Sequence, residues 1–183
     1  MLTFISGNPG KLAQLKRHLH VPVEHRKLDL PEIQSLDPHE IVERKARAAY
    51  AILRSPVLVE DVSLSFHALN GLPGPLIKWF LQALGNKGLC RLLDSHEDRG
   101  ATASVVFAYY DGKTYREFEA SVEGTIATEP RGTNSFGWDA TFIPHGSDKT
   151  WGDMRHEEQR ETSMRRVALG KLHEFLLEHS RRQ

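Results

Sequence analysis

Cysteine is all but absent: Cys90 is the only one in 183 residues. No intrachain disulfide can form, and one thiol alone builds no cysteine zinc site, which suits a reducing, cytoplasmic setting. Cys90, within "GLCRLL", is expected as a small core residue. Net charge is absent too. The 24 Lys and Arg balance the 24 Asp and Glu, with a pI of about 7.2, so neither nucleic acid nor a membrane surface is expected as a partner. Clusters such as Arg165-Arg166 and Arg181-Arg182 are local exceptions. Long apolar runs are missing, so no membrane span is expected, and no basic n-region with a long apolar segment marks a targeting peptide. The ten histidines show no HExxH spacing. Repeats, low-complexity tracts and Gly/Ser linkers are lacking. The length suits one domain covering residues 1–183.

What is present begins with "LTFISGNPGKLAQL". An apolar run, Leu2 to Ile5, breaks at Ser6-Gly7-Asn8-Pro9-Gly10 and restarts with helical spacing at Leu12, Leu15 and Leu19. A strand is expected around Val21 to Leu28, then a loop, "DLPEIQSLDP". A helix should start near Pro38 with Asp37 as its cap, carrying Ile41, Ala48, Ala49 and Ile52 on one face. "PVLVED" reads as a short buried strand ending in two acids, and "NGLPGP" as a rigid turn. "LIKWFLQAL" reads as a helix, with a second short one near Leu89 to Leu93. "TASVVFAYYDGKTYREFEASVEG" is a hairpin turning at Asp111-Gly112. A last helix, near Arg160 to His179, should bury Val167, Ala168, Leu172, Phe175 and Leu176. Hairpin and crossover strands mixed with helices indicate an α/β fold with a mixed sheet.

Four stretches could carry chemistry. The opening turn has too few residues between Gly7 and Gly10-Lys11 for a Walker A loop, and no Ser or Thr follows Lys11. It still offers glycines for close backbone approach, helix-start N–H groups, a lysine and the polar Ser6 and Asn8, so an anion could sit there or the turn could only connect. Glu60 and Asp61 end a buried strand with side chains to opposite faces. They could hold a hard cation and activate water, or brace a loop. Glu32, in "LPEIQ", is a third oxygen ligand or a surface acid. Lys45 and Lys78 lie on apolar-patterned helices, where lysines bind phosphate or snorkel to solvent. "SFGWDA" places Phe136, Gly137, Trp138 and Asp139 where rings could stack on a base and an acid could read ring N–H donors, or where a core-edge aromatic pair meets a turn aspartate.

Together these describe a nucleoside polyphosphate site. The stretches "FISGNPGKL", "LDLPEIQ", "PVLVEDVSLSFHALNGLPGPLIKWF", "PRGTNSFGWDATFIP" and, less closely, "SMRR" resemble the inosine triphosphate pyrophosphatases, from residue 2 to about 177. The resemblance implies an α/β enzyme with an elongated central mixed β-sheet flanked by helices and a nucleotide cleft. It implies a homodimer, a requirement for Mg²⁺ or Mn²⁺, and hydrolysis of ITP, dITP or XTP to the monophosphate and pyrophosphate. By position it assigns Ser6, Gly7, Asn8 and Lys11 to the triphosphate turn, and Glu32 and Asp61 to the metal. Asp61 would activate water, with Lys11 beside it in catalysis and Glu60 adjoining. Lys45 and Lys78 would contact phosphate, and Phe136, Gly137, Trp138 and Asp139 would form the base pocket, with Ser163 and Arg165 contacting substrate.

Two positions depart from that pattern. Met164 stands where the family usually has a histidine, and Gln159 where it usually has a lysine. Loss of an imidazole donor weakens discrimination by pairing of buried polar groups. A second expectation therefore keeps the reaction but moves it to other modified or unmodified nucleotides. A third, of another class, is a nucleotide-binding module without turnover.

Overall fold

The computed structural model describes residues 1–19, 21–133 and 136–181; Arg182 lies outside them. β1 (Leu2–Ile5) is buried along its whole length, as its apolar run predicts. α1 (Pro9–His18) follows with Asn8 as N-cap and Pro9 in its first turn, where a missing N–H costs nothing. β2 (Val23–Arg26) lies parallel to β1, pairing Leu2 with Val23 and Ile5 with Arg26. α2 (Pro38–Leu53) starts at the expected Asp37-Pro38, the Asp37 carboxylate accepting the His39 N–H at 2.9 Å. β3 (Val57–Phe66) is parallel to β1 and ten residues long. It does not stop at its acids: Ser63, Leu64 and Phe66 continue buried beyond them.

β4 (Pro73–Gly74) pairs antiparallel with β3. α3 (Ile77–Arg91) contains the expected division, since Gly85 breaks the helix with φ 65°. β5 (Gly100–Tyr110) and β6 (Tyr115–Ile126) form the hairpin. There the Asp111 carboxylate takes the N–H groups of Lys113 and Thr114, and Gly112 supplies a positive φ of 94°. β7 (Phe142–Pro144) runs antiparallel to β6. The expected final helix is two, α4 (His156–Glu161) and α5 (Met164–Ser180), with Thr162-Ser163 between them.

The sheet order is β2-β1-β3-β5-β6-β7, with β4 also on β3. Parallel and antiparallel pairs share this sheet with helices, so the α/β mixed-sheet expectation holds. Two compact units divide the chain: Met1–Asp61, Val105–Ala120 and Arg165–Gln183 form the first, Val62–Ser104 and Ser121–Met164 the second. The first packs Val42, Ala46 and Ala49 of α2 against Ile5, Val57, Val59, Val106 and Ala108 of the sheet. Small residues on α2 let the helix sit close to β-branched strand residues. The second holds an aromatic cluster in which Phe142 meets Trp151 at 4.6 Å between ring centroids and Trp138 at 6.0 Å. Burying a ring such as Phe142 contributes roughly 1.5–3 kcal/mol.

Two expected core positions face water. Ile52 is 57% exposed near the end of α2, and Val167 is 49% exposed on α5. In α2 the buried stripe is Ile41, Val42, Ala46 and Ala49, rotated from the expected one. Among the described residues no helix is long and apolar enough to cross a membrane.

Candidate active site

In the first unit, the β1–α1 turn is organised by its own polar atoms. Ser6 Oγ accepts the Asn8 N–H at 3.1 Å, Asn8 Oδ1 accepts the Gly10 N–H at 2.9 Å, and the Asn8 carbonyl accepts the Lys11 N–H at 3.2 Å. His25 on β2 donates from Nε2 to the Ser6 carbonyl at 2.8 Å. The backbone donors expected to attract an anion are therefore spent at Asn8, Gly10 and Lys11. Attraction rests on side chains instead. A Cβ built on Gly7 would lie 3.8 Å from Lys27 Cε, so Lys27 adjoins the turn as a second cation. Sequence reasoning missed it. Only the parallel pairing of Ile5 with Arg26, which the fold supplies, sets residue 27 beside the turn.

Beyond the turn, Glu60 and Asp61 are neighbours with opposite surroundings. Glu60 is buried, and one of its oxygens, Oε1, receives both Lys11 Nζ at 2.8 Å and Arg165 Nη2 at 3.0 Å. Burial alone would raise its pKa. The Arg165 guanidinium and then the Lys11 ammonium outweigh burial and hold it at about 2. Asp61 points the other way along the strand pleat and receives Lys45 Nζ at 3.0 Å. Its carboxyl is raised above the usual aspartate value, because burial outweighs the help from Lys45. Adjacent acids pushed apart in this manner suit one permanent anion and one proton acceptor. Lys45 also lies 3.8 Å from Glu32, which sits on the loop before α2.

Among the described residues no three His, Cys, Asp or Glu side chains gather into a metal cage. A cation that keeps several waters needs only one or two protein carboxylates. Asp61 Oδ2 is buried with no hydrogen-bond partner, and Glu32 shares Lys45 with Asp61. That oxygen-only donor set fits a hard divalent cation completed by water and phosphate oxygens.

The second unit carries the expected aromatic-acid loop. Trp138 is buried, tilted on Trp151 at 5.6 Å and edge-on to Phe142, so packing occupies its ring. Phe136 is half-buried and Gly137 exposed, with a left-handed φ of 62°. Asp139 is buried, its Oδ2 accepting Gln159 Nε2 at 2.8 Å and the Phe136 N–H at 3.4 Å. Sequence reasoning treated Gln159 only as a missing lysine, whereas the structure makes it the partner of Asp139. Met164 is fully buried at the start of α5. Ser163 lies between α4 and α5, its N–H on the Arg160 carbonyl. Lys78 is exposed in the first turn of α3, its ammonium 5.0 Å from the Trp79 ring centroid. The structure thus gathers Lys11, Lys45, Glu32, Glu60, Asp61 and Arg165 in one unit, and Phe136 to Asp139 with Gln159 in the other.

An α/β sheet with a lysine-bearing turn, paired acids of unlike proton affinity and an aromatic-acid loop defines a class of phosphate-anhydride-handling protein. The Ham1 family model matches residues 2–175, and the chain belongs to that family. Relatives named inosine triphosphate pyrophosphatase support the same grouping. One from Yarrowia lipolytica is 45% identical over 183 residues, covering 97% of this chain and 96% of the relative. Inosine triphosphate pyrophosphatase 2 of Trypanosoma cruzi is 45% identical over 172 residues, 92% of this chain and 88% of the relative. Among solved structures, a HAM1 protein from Coxiella burnetii superposes with TM-score 0.83 at 27% identity, covering 97% of this chain and all of that one. A nucleoside-triphosphatase described as a dITP/XTP pyrophosphatase, from Mycobacterium abscessus, gives TM-score 0.72 at 30% identity, over 94% of this chain and 98% of that one.

Proposed function

We propose that this protein hydrolyses inosine- and xanthine-type nucleoside triphosphates, ITP, dITP or XTP, to the monophosphate and pyrophosphate, and so clears deaminated purines from the nucleotide pool. The observation that carries the reading is the Glu60–Asp61 pair, one acid bound by Lys11 and Arg165 and its neighbour bound by Lys45 with a second, buried oxygen that has no hydrogen-bond partner. Family membership and the names of the relatives support the substrate class.

Asp61 is the base. A water held at its carboxylate gives up a proton to it, the resulting hydroxide attacks phosphorus at the α–β linkage, and the pyrophosphate oxygen leaves with the bond's electrons. Lys45 keeps the carboxylate oriented and favours its ionised form before the proton arrives. Lys11 and Arg165, fixed on Glu60, present positive charge to the triphosphate, with Lys27, Lys78, Ser6 and Asn8 as further contacts. Glu32 and Asp61 would hold Mg²⁺ or Mn²⁺, which would neutralise phosphate charge and lower the pKa of its bound water. Phe136, Gly137 and Asp139 take the base, Trp138 supports them from the core, and Ser163 adds a polar contact. In this reading residues 1–183 serve as a single pyrophosphatase domain, in a cytoplasmic homodimer.

A second reading keeps the reaction and widens the base. It is favoured by the buried Met164, which offers no imidazole donor to a base. Pyrophosphate release from ITP by wild type and Asp61→Asn tests the lead reading. The variant should lose about 10²–10⁴-fold in kcat with KM little changed. A variant as fast as wild type would remove Asp61 from the chemistry.

A further inference from the structure

We infer that Asn86 and Gln159 form a neutral amide latch on the 136–139 loop, and that this latch sets which base the protein accepts. The inference rests on the nucleotide reading above. Asn86 Nδ2 donates to the Gly137 carbonyl at 3.1 Å, and Gln159 Nε2 donates to Asp139 Oδ2 at 2.8 Å. The loop is thereby fastened at its exposed glycine from α3 and at its buried acid from α4. Its own Phe136 N–H, on the same Asp139 oxygen, closes the turn from within.

Local structure brings both amides to the loop. α3 breaks at Gly85, one residue before Asn86. Leu81, one turn earlier, has Cδ2 4.0 Å from where a Cβ on Gly137 would sit, so α3 packs close to this glycine. α4 opens with the Arg155 N–H donating to the Glu158 carboxylate at 2.9 Å. Gln159 follows directly from that fixed turn.

Stability alone does not explain Asn86. Its Oδ1 is buried with no hydrogen-bond partner, and a buried unmatched acceptor is unfavourable. The reverse amide orientation would set two oxygens against each other at Gly137. The orientation present is the one that holds the loop, at the expense of a stranded oxygen.

The chemistry of selection follows. A carboxylate accepts hydrogen bonds only. Held in one orientation, Asp139 pairs with the N1–H of a 6-oxopurine and opposes the N1 lone pair of adenine. A free-swinging carboxylate discriminates less, because each base then meets its best rotamer. Gln159 orients Asp139 without adding a positive charge of its own, which a lysine there would do. Asn86 and Gln159 are thus positioning residues, acting through the loop.

The test uses isosteric reversals, Asn86→Asp and Gln159→Glu, in the full-length protein. Each replaces an N–H donor by an oxygen facing an oxygen. Two quantities are read: hydrogen exchange of the segment containing residues 136–139, and the ratio of kcat/KM for ITP over ATP. Both variants should exchange this segment faster and lose about tenfold in the ratio, mainly through a higher KM for ITP. Gln159→Lys, which restores a donor, should keep the slow exchange. Unchanged exchange in both reversals overturns the latch. Faster exchange with an unchanged ratio overturns its role in base choice. If wild type releases pyrophosphate from neither nucleotide, the reaction reading fails. The ratio is then taken from calorimetric Kd values for inosine and adenosine monophosphates, with the same criteria.

Discussion

The candidate groups of the two units are held by different materials. In the first unit, polar contacts are ionic: two cations share one glutamate oxygen, and a third holds an aspartate. In the second, the corresponding loop is held by carboxamides, backbone N–H groups and aromatic packing. On the proposed reading the difference follows the task. A triphosphate carries several negative charges, and lysines and an arginine must be held in place against their mutual repulsion before it arrives. Glu60 does that. Bases differ from one another in uncharged donors and acceptors, so selecting among them needs fixed directions more than fixed charge.

Breaking the ionic half should have the larger consequence for stability. Glu60→Gln leaves Lys11 and Arg165 near each other with no counter-charge, a change expected to destabilise the fold by about 3–5 kcal/mol. Urea unfolding at neutral pH would measure it. A loss under 1 kcal/mol would mean that water reaches the pair more freely than its burial implies.

The same pair predicts a pH signature, measured without added divalent cations. Glu60 is held at about 2 in the folded chain against 4.5 ordinarily. Its contribution is fully present above pH 4.5 and is lost as pH falls towards 2, about 3 kcal/mol in all. Asp61 has the opposite sign. Its carboxyl is raised when folded, so its ionised form costs stability above that value, and the cost disappears as pH falls. The stability gap between wild type and Glu60→Gln should therefore shrink between pH 4.5 and 2.5. A constant gap would show that Glu60 is not ionised by its partners.

The neutral half is sharpened by a smaller change. Gly85→Ala places a Cβ where nothing lies within 4 Å, so the effect comes only from the left-handed φ of 65°. With ψ 178° this is a conformation essentially confined to glycine, so a cost of about 1–3 kcal/mol is expected, with faster hydrogen exchange around Asn86. Val167→Lys is the smallest, within about 0.5 kcal/mol by thermal unfolding, because that side chain is already half in water.

Local signals made part of this legible. Asp37-Pro38 caps its helix and Asp111-Gly112 turns its hairpin as read, because each depends on a few adjacent residues. Helical spacing named an apolar face for α2 and α5 but did not say which neighbour covers it, so Ile52 and Val167 were misplaced. β3 runs past its acids because its buried residues continue as Ser63, Leu64 and Phe66, a pattern in which two charged residues look like an end. Glu60 and Asp61 were legible as candidates, whereas their unlike surroundings were not. The Arg165 partner of Glu60 lies 105 residues away, and only the fold brings it near. Gln159 was read as a substitution, and its bond to Asp139 depends on α4 being a separate short helix.

The most direct test is product identity. Wild-type protein with Mg²⁺ should convert ITP to inosine monophosphate and pyrophosphate in equal amounts, with kcat/KM at least about tenfold above that for ATP. Release of orthophosphate in place of pyrophosphate, or turnover of neither nucleotide, would contradict the account.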